Sequence, residues 1–304
     1  MKTFNQILKF SIFALLLAQI AAAQQFADPE FDTRVENPAF KKNYPRVLFD
    51  EAHNNFHTTT GRYQPFANLI VNDGYHVVPG RKVFSKSSLA TFKIVVIANA
   101  IGAEDMDEDG AERSAFTDQE CDAVRDWVKN GGALLLIADH APFGAAAENL
   151  AHRFGVEMSK GFTFDTENHF EDFAPSILLF SRENKRLLDH PITQGRTNGE
   201  KINRVITFTG QSLKGPDGSA VFLLLSDTAK DKPDRQSQTS VSAAGRAQGL
   251  AFKFGKGRVV VLGEAAMLSA QLTGAEKQPM GMNVPGSDNR QLALNIMHWL
   301  SGLL

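Results

Sequence analysis

The runs Ile94-Val95-Val96-Ile97-Ala98 and Ala133-Leu134-Leu135-Leu136-Ile137-Ala138 constrain this chain more than anything else in it. Each is apolar at every position, so neither has a face to give to water. A strand of that kind belongs inside a sheet covered on both sides. Between them, Thr117-Asp118-Gln119-Glu120 reads as a capping box and Gly131-Gly132 as a stop, which places a helix over residues 118–129. Two fully buried strands joined by a capped helix are the mark of a parallel α/β unit.

The same alternation runs outward from this unit. Strands are expected over 46–49, 76–78, 204–208 and 220–225, and helices over 63–72, ended by Gly74, and 145–154, ended by Gly155. Residues 249–254 and 258–262, joined through Gly255-Lys256-Gly257, read as a β-hairpin. A closing helix from 288 carries Leu292, Ile296, Trp299, Leu300 and Leu303 on one face. The pattern predicts one three-layer, flavodoxin-like α/β domain over 46–304, with a mainly parallel sheet, a C-terminal hairpin and a closing helix. Residues 156–203 read as an irregular cover. Residues 226–247, rich in Ser, Asp, Lys and Gln, read as a mobile surface loop. Residues 24–45, with Pro29, Pro38 and Pro45, read as an extended leader with no core of its own.

The first 23 residues have the form of a signal peptide: Lys2 and Lys9, an apolar stretch from Phe10 to Ile20, then Ala21-Ala22-Ala23 before Gln24. That stretch is short for a hydrocarbon core of about 30 Å. The expectation is a cleaved leader and an exported protein, periplasmic or extracellular, with no membrane span. Losing two lysines takes the formal charge from −2 to −4, which leaves no electrostatic footprint for nucleic acid. Cys121 is the single cysteine, so no intrachain disulfide forms, and its helical setting suggests a packing thiol.

Ligands of open parallel sheets gather outside the carboxyl ends of the strands. Asp50, Glu51, His53, Asn54 and His57 follow the first strand, and Asp139-His140 ends the fourth, so the two clusters are expected to converge. His53 and His57 are four apart, as in zinc sites on a helical turn. Asp50, His53 and His57 are therefore the expected metal ligands, for zinc or manganese, against the simpler reading of hydrogen-bonding loop histidines. His140 is expected as a general base or a further metal ligand, with Asp139 as a second ligand or its orienting partner, although Asp139 could equally cap the next helix and His140 fill a polar gap. Asp105, Asp107 and Asp109 with Gly110 match half a calcium loop, but Phe116 stands where its closing Glu should be. Phe162, Phe164, Phe170 and Phe173 suit a lid that packs over the strand ends better than a sugar platform.

Asp189-His190-Pro191-Ile192-Thr193-Gln194-Gly195, the hairpin end Gly257 to Glu264, and Asn289-Arg290-Gln291 with Leu294, Asn295, Trp299 and Leu300 resemble the class I glutamine amidotransferase-like superfamily. Within it they are similar to the branch related to ThuA and GldG proteins, over roughly residues 46–304. The resemblance implies a nucleophilic Cys at the strand-to-helix elbow. This chain has Ala138-Asp139-His140-Ala141-Pro142-Phe143-Gly144 there instead, which excludes Cys–His–Glu chemistry. ThuA-like proteins carry a His near this turn, which the resemblance offers as support for His140. Glu264 resembles an acidic position of the branch and joins Asp139 and His140 as an expected catalytic residue, although it could also cap a helix beginning near Ala265. Asn289 joins Glu51 and Asn54 as an expected ligand contact. The leading functional expectation is a metal-assisted hydrolase of a small polar or saccharide substrate. A non-catalytic binding or scaffold module and a metal-free His/Asp acid–base enzyme are the alternatives.

Overall fold

A computed structural model describes residues 25–170 and 173–304. Its main sheet has nine strands: β1 (Arg46–Asp50), β2 (His76–Gly80), β3 (Ile94–Ala98), β4 (Ala133–Ile137), β5 (Glu157–Met158), β6 (Leu213–Lys214), β7 (Ala220–Leu224), β8 (Ala247–Phe254) and β9 (Gly257–Leu262). They lie in the order β2-β1-β3-β4-β9-β8-β6-β5, with β7 also paired to β8. The two apolar runs become β3 and β4 at the centre, buried at all five positions each.

Pairing is parallel from β2 through β1, β3 and β4 to β9. The hairpin through Gly255 then reverses the chain, so β8 and every strand added beyond it are antiparallel. The expected mainly parallel sheet therefore describes only its five-strand half. Over the described ladders, four are parallel and nine antiparallel. Gly255 has φ +58°, and a Cβ there would stand 2.6 Å from the Lys129 carbonyl oxygen, so only glycine fits.

Among the described residues six helices accompany the strands: α1 (Gln64–Asn72), α2 (Lys86–Leu89), α3 (Asp118–Lys129), α4 (Phe143–His152), α5 (Pro191–Gln194) and α6 (Asn289–Ser301). Because strand side chains alternate, the parallel half feeds two cores. Val47, Phe49, Val96, Leu135 and Ile137 pack with α1 and α6. Leu48, Val95, Ile97, Leu134 and Leu136 pack with α3 and α4. The capping box at Thr117 is present, with Thr117 Oγ1 accepting from the Glu120 amide and Glu120 Oε2 accepting from the Thr117 amide.

Two expectations about loops change. The leader forms a strap: Gln25–Ala27 pairs antiparallel with Ala270–Thr273, and Phe31, Val35 and Phe40 pack on the α1–α6 core. Asp73 holds the strap by accepting from the Ala39 amide at 2.8 Å while its other oxygen meets His298 at 2.7 Å. Segment 226–247 also carries structure. Lys230–Lys232 pairs with both Phe162–Phe164 and Val241–Ser242 in a three-stranded sheet. Its polar composition hid strands that the backbone ladder to Phe162–Phe164 and the buried Asp231 hold in place. Within 156–203, Ile177–Ser181 pairs with Arg204–Phe208 as a separate ladder. The expected signal peptide lies outside the described residues. Among the described residues no helix is long and apolar enough to cross a membrane.

Candidate functional site

The sheet brings Asp50, Asp139 and Glu264 to its carboxyl edge, and the two loops share a neighbour. Asn99, just beyond β3, accepts from the Phe56 amide through its carbonyl and from the Asp139 amide through Oδ1, at 2.9 and 3.0 Å. Yet the side chains part company. Asp50 continues the alternation of Leu48 toward the α3 face, whereas Asp139 continues that of Ile137 toward the α1 face. Strand parity, not distance along the edge, separates the two clusters.

On the α3 face, His53 is clamped between two carboxylates. Its Nδ1 lies 2.9 Å from both Asp50 oxygens and its Nε2 2.8 Å from Glu120 Oε1. Phe84 and Phe116 flank the ring at 4.8 and 4.7 Å. Burial opposes protonation, but the bonds and charges of Asp50 and then Glu120 outweigh it and raise the His53 pKa. Both ring nitrogens are therefore donors already in use. His57 goes to the opposite face, stacked on Tyr63 at 4.6 Å, where burial and then Arg62 lower its pKa to about 3. The expected metal set of Asp50, His53 and His57 does not assemble. Among the described residues no group of three or more His, Cys, Asp or Glu side chains is placed to hold a metal ion, Asp105, Asp107 and Asp109 included. The residues do not fit zinc, manganese or calcium.

The other expected ligand contacts serve the scaffold. Glu51 Oε1 accepts from the Thr59 amide and hydroxyl. Asn289 is fully buried and spends its amide on Ile206 N, Ile206 O and Met267 O. Asn54 is exposed, with φ +48°, and turns the loop.

At the elbow, Asp139 Oδ1 accepts from the main-chain amide of His140 at 2.7 Å, so it does not orient the imidazole. Glu264 caps the turn after β9, its oxygens accepting from Ala266 N at 2.6 Å and Met267 N at 2.8 Å. Burial first, and for Glu264 then the charge of Asp139, push both carboxyls up, Asp139 to about 7. Tyr63 donates to the Ala265 carbonyl at 2.6 Å beside them and is raised by burial and by the same two acids. Gln211 pins the elbow by donating to the carbonyls of Ala138 and Asp139, both at 2.9 Å. Cys121 sits on α3 in the other core, its thiol pushed up to about 11 by burial.

His140 turns outward. Its Nδ1 lies 2.7 Å from the Ala141 carbonyl, which can only accept, so Nδ1 carries the hydrogen and Nε2 is the free acceptor. Burial lowers the ring's pKa to about 4, and Arg235 adds to this, which keeps it neutral at pH 7. Nε2 faces the Arg235 guanidinium at 3.4 Å, and the ring stacks on Phe162 at 4.6 Å.

Phe162 and Arg235 form one wall of a cavity of about 280 Å³, completed by Thr163, Phe164, Pro175, Ser176, Thr209 and Lys232. Larger depressions exist, of about 460 Å³ beside Arg246 and about 560 Å³ beside Arg81, but neither touches the elbow. Thr209 adopts φ +67°, costly for a β-branched residue, and its hydroxyl meets that of Ser176 at 2.8 Å. Composition concealed Lys232 and Arg235 inside the expected mobile loop. Phe162 and Phe164, singled out as a lid, were the sequence signal that could have led to them.

No family model matches this chain, and no curated protein matches it. Solved structures do. The mmIFT52 N-terminal domain is 16% identical with a TM-score of 0.58, covering 84% of this chain and 97% of that one. Cytoplasmic protein STM3548 from Salmonella typhimurium is 11% identical with a TM-score of 0.47, covering 84% and 98%. A ThuA-like protein from Bacteroides uniformis is 13% identical with a TM-score of 0.43, covering 90% and 95%. At such identities the likeness concerns the fold alone: this is a mixed α/β domain whose architecture it shares with the mmIFT52 N-terminal domain.

Proposed function

We propose that this protein is a binding module for a small polar ligand held in the groove of Phe162, Phe164, Ser176, Thr209, Lys232 and Arg235. One observation carries the reading. The expected catalytic carboxylates are engaged in holding the fold, whereas the groove beside the elbow presents two cations with no carboxylate partner among the described residues. His140 then acts as a positioning residue, its neutral Nε2 receiving Arg235. The strained Thr209 supports the same location, since such backbone persists where surroundings enforce it. Fold placement follows the sequence: a three-layer, flavodoxin-like member of the amidotransferase-like superfamily that lacks the nucleophilic Cys, in the ThuA/GldG-related branch. The leader pattern supports an exported protein working in the periplasm or outside the cell.

A second reading, metal-free acid–base catalysis, draws support from the buried Asp139–Glu264 pair, because an acid titrating near neutrality suits proton transfer. For a metal-assisted hydrolase no group of three donors is assembled among the described residues. Amide and methyl chemical-shift mapping separates the survivors. Millimolar monosaccharides and sugar acids should perturb signals of Phe162, Phe164, Thr209 and Arg235, and Phe162→Ala should abolish the effect without turnover of any ligand. Perturbation confined to other surfaces, or none, would sink the binding reading; turnover lost in Asp139→Asn would favour the second.

A further inference from the structure

The groove's chemistry specifies more than polarity, and its charge narrows the ligand class once the binding reading above is granted. The rings a neutral sugar would stack on already carry partners. His140 lies against Phe162, Arg235 sits over the same ring at 5.1 Å, and the Lys232 ammonium sits over Phe164 at 5.0 Å. Neither cation has a carboxylate within ion-pair distance among the described residues, and the buried Asp139 acts on Arg235 only through its longer-range charge. Asp231, next in sequence to Lys232, accepts instead from Thr163 Oγ1 at 2.5 Å and Ser212 Oγ at 2.6 Å. Asp234 accepts from the main-chain amides of Gln236 and Ser237. Asp165 is taken by the hydroxyls of Ser226 and Thr228. Among the described residues no carboxylate lines the groove, and the hydroxyls of Ser176 and Thr209 lie within it.

The geometry points to a ligand bearing an oxyanion, with Arg235 and Lys232 taking the anionic group and Ser176 and Thr209 offering hydroxyls to the rest. A planar guanidinium fork suits a carboxylate or a phosphate alike. A small acidic saccharide is the ligand class with both parts.

Titration of the full chain with galacturonate, galactose and galactose 1-phosphate tests this, read by calorimetry and by the shift of the Arg235 side-chain signals. The anions should bind about ten- to a hundredfold more tightly than galactose, as charge-assisted bonds do, and should weaken as salt rises. Arg235→Gln with Lys232→Gln should erase that preference while the melting temperature holds, because neither side chain has an ion-pair partner to lose among the described residues. The galacturonate and phosphate arms then tell a carboxylate ligand from a phosphorylated one. Equal binding of galactose and the two anions, or a preference that survives in the double variant, overturns the oxyanion inference and leaves the groove as a neutral-ligand site. Silence of the groove signals toward all three probes overturns both readings.

Discussion

Replacing His53 with leucine should cost about 3–5 kcal/mol at pH 7, as removing one partner of a buried ion pair does. Leucine keeps much of the packing between Phe84 and Phe116 but strands Asp50, which is fully buried, and Glu120, which is 6% exposed. The cheapest escape is to protonate one of them. That costs about 1.36 kcal/mol for each pH unit above the pKa of the group protonated. The same step becomes cheaper as pH falls, so the penalty should shrink on acidification. The wild-type dependence has the opposite edge. A histidine whose folded pKa is raised contributes stability in full below its unfolded value near 6.5 and loses it as pH rises through the folded value. Glu120, lowered on balance because His53 and Thr117 outweigh its burial, contributes above its unfolded pKa and loses that contribution as pH falls through the folded one. Urea denaturation of both proteins between pH 4 and 9 measures the difference directly. A pH-independent gap, or one under about 1 kcal/mol at neutrality, would refute the charged clamp.

Two further outcomes concern the elbow. Asp139 has a raised folded pKa, so wild-type stability should fall as pH climbs from about 4 to about 7, and Asp139→Asn should reduce that slope, leaving the share that burial of Glu264 contributes, while its Oδ1 still accepts from His140 N; equal slopes in melting temperature would contradict it. Gly144 leaves no room for a methyl group, whose carbon would stand 2.4 Å from Gln211 Nε2. Gly144→Ala should therefore cost about 1–3 kcal/mol, and a double-mutant cycle with Gln211→Ala should recover part of it; additivity in denaturant midpoints would show that the two do not meet.

The strands and the long helices were legible because their signals are local. Ile94–Ala98 and the Thr117 box announce themselves within a few residues, and the structure keeps both. What escaped reading was set by parity and pairing. Nothing in Asp50-Glu51-Ala52-His53 says that Asp50 belongs to the face of Leu48 while Asp139 belongs to that of Ile137, so two clusters on one edge looked like one pocket. The sequence Lys230-Asp231-Lys232 has no strand propensity worth noting. It is a strand because Phe162–Phe164 offers it a free backbone edge. Asn289 and Glu264 looked like site residues because buried amides and carboxylates that satisfy backbone groups use the same chemistry as those that bind ligands.

The segment that carries Lys232 and Arg235 also begins and ends at one place. Leu225 N donates to Arg246 O at 2.9 Å, closing the chain on itself just outside it. Such a closed excursion behaves as a cassette. It can be lengthened, shortened or exchanged for another sequence at small entropic cost to the scaffold, provided the three residue pairs with Phe162–Phe164 survive. The ligand preference proposed for the groove is therefore open to redesign by loop grafting, with the parallel half of the sheet left untouched.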